Sequence, residues 1–416
     1  MTIASFQNKK INIGLIGFGC VGQGFYKLCS QSADGRLHIK SVAAKNPDKI
    51  RNVRPETLVF DPDLLIADGE IDTIVEAIDD ADAAFALAKK ALLAGKHLVT
   101  ANKKMLSQHL RELETLAAEK KLRFYYEASV GGSIPVIQLL KGYYAGSEIK
   151  KISGILNGST NYILSRMYNE GLEYTAALKQ AQNLGFAETD PLLDVGAFDP
   201  KSKISILSSV VFGYLPDPEE VLNIGIQSLE ARDISFARQR GYKIRLLAEA
   251  AHIDGSLALR VLPAFVGKDS EFYGIENEYN AVLVETADFG SQLITGKGAG
   301  SIPTGKAVLE DVRRILLSGD SGGNHARKYT RGNNGLIQVY LRFPGKRLPE
   351  SIRFKKTREI FTSSLINYAT GWLEPEQLLA NRELLGSQGY FVAVLPECYP
   401  AVLLPPLFFA PTFAAL

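Results

Sequence analysis

Apolar residues in the first third of the chain fall into short unbroken runs separated by stripes of helical spacing. Lys9–Ile16 (KKINIGLI) reads as a buried strand, and Gln23–Gln31 as the helix that follows it. Leu37–Ala44 reads as the next strand, Thr73–Glu76 (TIVE) as a short one, Ala81–Ala94 as an alanine-rich helix closed by Gly95, and His97–Thr100 as another strand. Strands alternating with helices of this length predict an α/β fold built on a doubly wound parallel sheet, with ligands at the carboxyl ends of its strands. Farther along, a helix is predicted from Phe198, with Pro200 tolerated in its first turn, and another over Ala307–Ser318 that returns to the first domain. Near the C-terminus, Leu336–Phe343 and Tyr390–Leu395 read as strands and Ile352–Tyr368 as a helix.

Between the first strand and the first helix lies Gly17-Phe18-Gly19-Cys20-Val21-Gly22, a GxGxxG in register with both. The first glycine permits a tight turn, the second lets backbone approach a pyrophosphate, and the third lets helix and strand pack closely. Unpaired N–H groups at the helix N-terminus then face the phosphates. In this context the motif predicts a Rossmann-type dinucleotide site, against the alternative of a glycine-rich turn with no ligand. The second strand ends in Lys45-Asn46-Pro47, where an acidic residue would grip a ribose 2′-hydroxyl. A cation there suits a 2′-phosphate, so NADP is favoured over NAD, with dual use open. Lys45 as a solvated strand-end charge is the competing reading. Thr100-Ala101-Asn102-Lys103 ends another strand. Lys103 there either reaches the nicotinamide or substrate, or is an exposed lysine opening the next helix.

Ala181–Lys203 (AQNLGFAETDPLLDVGAFDPKSK) packs Glu188, Asp190, Asp194, Asp199 and Lys203 into one turn-rich segment that becomes a helix. Such a cluster can hold a small zwitterion and move a proton. Asp199 and Lys203 fall at i and i+4, and the same face continues through Ile206 and Val210. Lys203 therefore sits on an apolar stripe. Desolvation lowers an ammonium pKa while a neighbouring carboxylate raises it, an opposition that tunes lysines for acid–base work. Taken alone, the pair is also readable as a surface ion pair.

With 416 residues, 46% of them hydrophobic, the chain is long enough for two or three cores. The pattern changes divide it into a dinucleotide-binding domain at 1–133, joined by the returning helix at about 303–320, and an α+β substrate and dimerisation domain at 134–302. A small C-terminal α+β region at 325–416 follows a Ser318–Asn324 linker. A net charge of +2 gives no reason to invoke nucleic acid or an anionic membrane. Three cysteines, Cys20, Cys29 and Cys398, form neither a disulfide framework nor a zinc spacing, and no long apolar core opens the chain, so a cytoplasmic protein is expected. The five histidines show no metal-binding pattern. Cys398–Leu416 is apolar, but Pro400, Pro405, Pro406 and Pro411 argue against a membrane helix and for a segment covering a partner surface.

Over about its first 320 residues the chain resembles the homoserine dehydrogenases, in six blocks in order: IGLIGFGCVGQG, GKHLVTANKKMLS, YYEASVGGSIPVI, GILNGSTNYILSRM, the acidic segment, and GKGAGSIPTGKAVLEDV. The resemblance implies interconversion of L-homoserine and L-aspartate 4-semialdehyde with NAD(P)(H), in threonine, methionine and isoleucine biosynthesis, by a homodimer or higher homo-oligomer. It assigns Lys203 and Lys103 to catalysis beside Asp199, Glu188 and Asp194 to the substrate amino acid, and Gly17 to Gly22, with Lys103, to the cofactor. Gly185 and Gly300 would lie against the cofactor or its cation. Glu127, Val130, Gly132 and Ile134 would correspond to a monovalent-cation site such as one for sodium. Three positions depart from the family pattern: the glycine between the two aspartates is displaced, giving Asp194-Val195-Gly196-Ala197-Phe198-Asp199; Lys297 stands where proline is common; and Lys45 replaces an arginine, offering a charge without a bidentate fork. The C-terminal region begins like the ligand-sensing ACT domain that many relatives carry but lacks the acidic residue before Pro-Gly, so an ACT domain and a degenerate or divergent version of one both stay open.

Two other classes stand against this reading. A semialdehyde dehydrogenase working through a thioester needs a cysteine nucleophile, and residues 134–302 contain none. A non-catalytic nicotinamide-binding sensor needs no proton-transfer groups, yet Lys103, Lys203, Asp199 and Glu188 are all present.

Overall fold

The computed structural model describes residues 10–33, 35–253, 256–316, 330–332 and 335–396. Lys9, the Ser318–Asn324 linker, the end of the predicted returning helix and the 398–416 tail with Cys398 lie outside the described residues. The first half runs β1 (Ile11–Ile16), α1 (Cys20–Ser30), β2 (Leu37–Ala43), β3 (Leu58–Val59), α2 (Asp63–Ala67), β4 (Thr73–Glu76), α3 (Ala81–Leu93), β5 (His97–Thr100), α4 (Lys103–Glu119) and β6 (Phe124–Tyr125). Among the described residues these strands form a six-stranded sheet in the order β3-β2-β1-β4-β5-β6, all parallel. β1 and β4 are buried along almost their whole length because helices cover both sheet faces and leave almost nothing to water. α3 shows the local logic: Asp80 caps it by accepting from Ala83 N at 2.9 Å, Ala81, Ala84, Ala88, Ala91 and Leu92 form its buried stripe, and left-handed Gly95 ends it.

The chain continues through α5 (Val136–Lys141), β7 (Ile149–Ile155), α6 (Gly158–Glu170), α7 (Tyr174–Asn183), α8 (Leu192–Val195), α9 (Phe198–Phe212), β8 (Leu222–Asn223), α10 (Ala231–Gln239), β9 (Lys243–Ile253), β10 (Ser256–Val266), β11 (Tyr279–Thr286) and β12 (Gly290–Lys297). α11 (Ser301–Leu316) then crosses back to the first sheet. β13 (Thr330–Arg331), β14 (Ile337–Arg342), β15 (Lys356–Thr362), β16 (Asn367–Leu373), α12 (Pro375–Ala380), α13 (Arg382–Leu385) and β17 (Phe391–Val394) complete the described chain. The second sheet is mixed and follows the order β12-β11-β7-β9-β10-β17-β14-β16-β15, so the C-terminal strands extend it. A buried ion pair joins them to it: Arg342 Nε on β14 meets Asp233 Oδ1 on α10 at 2.9 Å, and the Tyr340 hydroxyl donates to the same oxygen at 2.9 Å. No helix among the described residues is long and apolar enough to cross a membrane.

Three sequence expectations are corrected. α1 begins at Cys20, not Gln23, and α11 at Ser301, not Ala307; the glycines that lower helix propensity sit where the two helices touch. A Cβ on Gly24 would lie 2.0 Å from Ser301 O, and one on Gly305 would lie 2.5 Å from Phe25 N. Ile352–Tyr368 is not a helix but contains β15 and the start of β16. Its β-branched Thr357, Ile360 and Thr362 suit a strand, and Ser363 makes the turn, its hydroxyl accepting from Leu365 N and Ile366 N.

Candidate active site

Gly17 closes β1 with φ +100°, and a Cβ there would lie 2.4 Å from Ala77 O, so only glycine fits the turn. A Cβ on Gly22 would lie 2.1 Å from Gly17 O, whereas one on Gly19 would meet nothing within 4 Å. The loop is tight behind and open in front, and no side chain caps the first turn of α1. This cradle fits the pyrophosphate of a dinucleotide. Phe18 turns its ring into the core against Tyr26, and the Cys20 carbonyl accepts from the Ser301 hydroxyl at 2.7 Å, leaving Gly300, φ +116°, beside the loop. Val21 is half-buried and Cys20 exposed. Exposed Lys45 follows β2 at the start of a loop docked onto α1, where Gln23 Oε1 accepts from Asn52 N at 2.9 Å.

The second group of residues gathers where α4 meets α9. Ala197 adopts the left-handed φ of +65° and turns the chain into α9, whose first turn carries Asp199. That departure from the family pattern is thus accommodated by an alanine in a conformation that costs about 1–2 kcal/mol. Asp199 Oδ2 lies 2.7 Å from Lys203 Nζ one turn later, and Oδ1 lies 2.5 Å from Lys103 Nζ, the first residue of α4. Lys203 Nζ also donates to Leu156 O at 2.7 Å. The Lys203 side chain is 7% exposed and that of Lys103 45%, so one ammonium is interior and the other stands at the opening.

Burial pushes the Lys203 ammonium pKa down and Lys103 adds to this, while Asp199 opposes it; the net direction is down. Asp199 raises that of Lys103. Burial would raise Asp199, but the two lysines hold its carboxyl well below the usual range. Asp194 is raised by burial and then by Asp199. Asn157 joins the two carboxylates, its Nδ2 lying 2.7 Å from Asp194 Oδ1 and 2.9 Å from Asp199 Oδ2, while its Oδ1 caps α6 through Thr160 N at 2.9 Å. The sequence reading missed Asn157, although its signal was present: asparagine three residues before threonine at a helix start. Glu188 is exposed on the strap after α7; Gln182 Nε2 holds its backbone carbonyl at 3.0 Å, and its charge is felt by Lys103. Left-handed Gly185 ends α7 at the base of that strap, its N–H donating to Gln182 O at 3.0 Å.

Residues 127–134 form a mostly buried turn with left-handed Gly131 and Gly132. The Glu127 carboxylate accepts from Ile137 N at 2.9 Å and Gln138 N at 2.7 Å, and burial, then Asp311, push its pKa up to about 8. The Glu127 and Ile134 carbonyls each accept one backbone hydrogen bond, from Val130 N at 3.2 Å and Val136 N at 2.8 Å, which leaves each a second lone pair. Oxygen donors of this kind fit a hard cation. No cluster of three His, Cys, Asp or Glu among the described residues could hold a metal.

A family model described as homoserine dehydrogenase matches residues 135–312, and one described as its NAD binding domain matches residues 17–127. The homoserine dehydrogenase of Synechocystis is 39% identical over 318 residues, 74% of this chain and 73% of that protein. The chain belongs to the homoserine dehydrogenase family. The Bacillus subtilis homoserine dehydrogenase is 32% identical over 86% of this chain and 87% of its own. Among solved structures, a homoserine dehydrogenase from Thiobacillus denitrificans superposes with a TM-score of 0.80 at 28% identity, covering 93% of this chain and 98% of that one. A hyperthermophilic archaeal homoserine dehydrogenase in complex with NADPH gives 0.65 at 26% identity, covering 75% and 99%. A homoserine dehydrogenase is a nicotinamide-dependent oxidoreductase of amino-acid biosynthesis, interconverting L-homoserine and L-aspartate 4-semialdehyde. Family and glycine cradle thus agree on the cofactor class.

Proposed function

We propose that Lys203 is the group that moves the proton in this homoserine dehydrogenase, with Lys103 polarising the same substrate oxygen. The observation that carries the reading is Asp199, one carboxylate held between both ammonium groups at 2.5 and 2.7 Å. Bound nicotinamide supplies or accepts the hydride. As the aldehyde is reduced, negative charge grows on its oxygen, and Lys203 Nζ gives up a proton there; in the reverse direction the neutral amine takes it back. Burial supports this role because it brings the ammonium and amine forms of Lys203 closer in energy. Asp194 and Glu188 hold the substrate ammonium by charge-assisted hydrogen bonds, making the substrate an α-amino acid. The Glu127, Val130, Gly132 and Ile134 carbonyls hold a monovalent cation that stiffens the turn leading into α5.

NADPH is the preferred cofactor, supported by the exposed Lys45 after β2 and by the NADPH complex of the archaeal relative. The enzyme is proposed to act as a homodimer in the cytoplasm, with residues 134–302 as the substrate and dimerisation domain. The test is oxidation of NADPH on addition of L-aspartate 4-semialdehyde, repeated with NADH and with Lys45→Asp. The variant should invert the cofactor preference by repelling the 2′-phosphate and offering acceptors to the ribose. An unchanged ratio of kcat/KM values would remove Lys45 from the site.

A further inference from the structure

The carboxyl edge of the parallel sheet holds a buried polar ring that none of the roles above uses. Glu76 ends β4 and is fully buried. One of its oxygens accepts from Ile78 N at 2.7 Å, and the other accepts from the Thr100 hydroxyl on β5, its register partner. Thr100 Oγ1 in turn accepts from Asn102 N at 3.0 Å, and Asn102 Nδ2 donates to Ile78 O at 3.1 Å, which closes the ring. The remaining Asn102 atom, Oδ1, caps α4 by accepting from Met105 N at 2.9 Å. Lys103 is the next residue, and its ammonium crosses to Asp199 on α9.

A carboxylate placed in a sheet interior costs several kcal/mol of lost hydration, and an apolar residue there would avoid that cost. What the ring adds is direction. Four hydrogen bonds tie the ends of β4 and β5 to the first turn of α4, so the path of the backbone into Lys103 is fixed from within the sheet. A misplacement of about 1 Å in a reacting group can cost on the order of a hundredfold in rate.

We propose that Glu76 is a positioning residue for the reaction, acting through Thr100 and Asn102 to hold the first turn of α4 and so place the Lys103 ammonium on Asp199. The kinetic part rests on the reading of Lys103 as a group at the substrate oxygen. Glu76→Gln keeps the shape but turns the acceptor facing Thr100 into a donor, so the Thr100 hydroxyl loses the charged acceptor for its own proton. Thr100→Val removes the link, and Thr100→Ser keeps it.

The experiment combines hydrogen exchange over residues 100–106 in the free enzyme with steady-state kinetics. Glu76→Gln and Thr100→Val should each speed exchange there and lower kcat about tenfold or more, with KM for NADPH and for homoserine within about twofold. Thr100→Ser should behave as wild type, and the Glu76→Gln/Thr100→Val double variant should be no worse than the poorer single. Unchanged exchange and kcat in the two disrupting variants, or losses that multiply in the double, would overturn the proposal. Should Glu76→Gln fail to fold, the Thr100→Val and Thr100→Ser pair decides the same link. A wild-type enzyme inactive on homoserine would defeat the reading of Lys103, while the exchange data would still decide whether Glu76 holds α4.

Discussion

Asp199→Asn isolates the electrostatics of the site, because it keeps the shape of the side chain and removes the one charge lying between two ammonium groups. Lys203 then loses the carboxylate charge at 2.7 Å and keeps the Leu156 carbonyl, a neutral amide and the more distant Asp194. With charge centres about 4 Å apart and an effective dielectric near 20, the lost attraction is worth about 4 kcal/mol. That is a factor of about a thousand in the ratio of ammonium to amine at Lys203. Burial and Lys103 already disfavour the ammonium, so at pH 8 the variant should have little acid to offer. We expect kcat for aldehyde reduction to fall by about 10²–10³ at pH 8. The loss should shrink steadily as the pH is lowered, since protons refill the amine. NADPH binding, followed by nicotinamide fluorescence, should be unchanged. A loss equal at every pH between 6 and 9, or a kcat within about twofold of wild type, would refute the assignment of Lys203 as the acid.

Gly22→Ala puts a Cβ 2.1 Å from Gly17 O and must displace the phosphate turn, so NADPH affinity should fall about tenfold or more; titration within twofold of wild type would count against the cradle. Arg342→Ala strands the buried Asp233 and should cost about 3–5 kcal/mol in denaturant unfolding, with a change under about 1 kcal/mol showing that the C-terminal strands do not depend on the pair. Burial raises Asp311 from 3.8 to about 7, so the folded chain retains a proton that the unfolded chain releases, and stability should decline as pH rises through that window. Asp311→Asn should flatten the decline in Tm between pH 5 and 8, and an unaltered slope would exclude Asp311 as its source.

Local signals in the sequence carried the first sheet well. Thr73–Glu76 and His97–Thr100 are strands at the predicted residues because their apolar runs are bounded by turn formers, and Asp199 and Lys203 share a helix face because their spacing demands it. What escaped was set by distant partners. Nothing near Cys20 or Ser301 announces that each begins a helix, because the reason is the contact of Gly24 and Gly305 across the helix pair. Asn157 lies 37 and 42 positions from the carboxylates it joins, and its capping pattern predicts a helix start without naming those partners. In 352–368 the apolar positions satisfy both periods loosely, and pairing with β14 through β16 decided for strands.

The path of α11 also bears on how the protein is made. Val308, Leu309, Val312 and Ile315 fill the same core as Phe25, Ile11 and Ile13, so the nucleotide-binding half is closed by a helix that begins at residue 301, well after its last strand ends at residue 125. At ribosomal speeds of about 5–20 residues per second, that helix arrives roughly 10–40 s after the sheet it seals. The first sheet to leave the ribosome therefore waits for a helix made after most of the second sheet, and the C-terminal strands β13–β17 follow it. Until then the face of α1 that carries Gly24 and Phe25 lacks the helix that covers it.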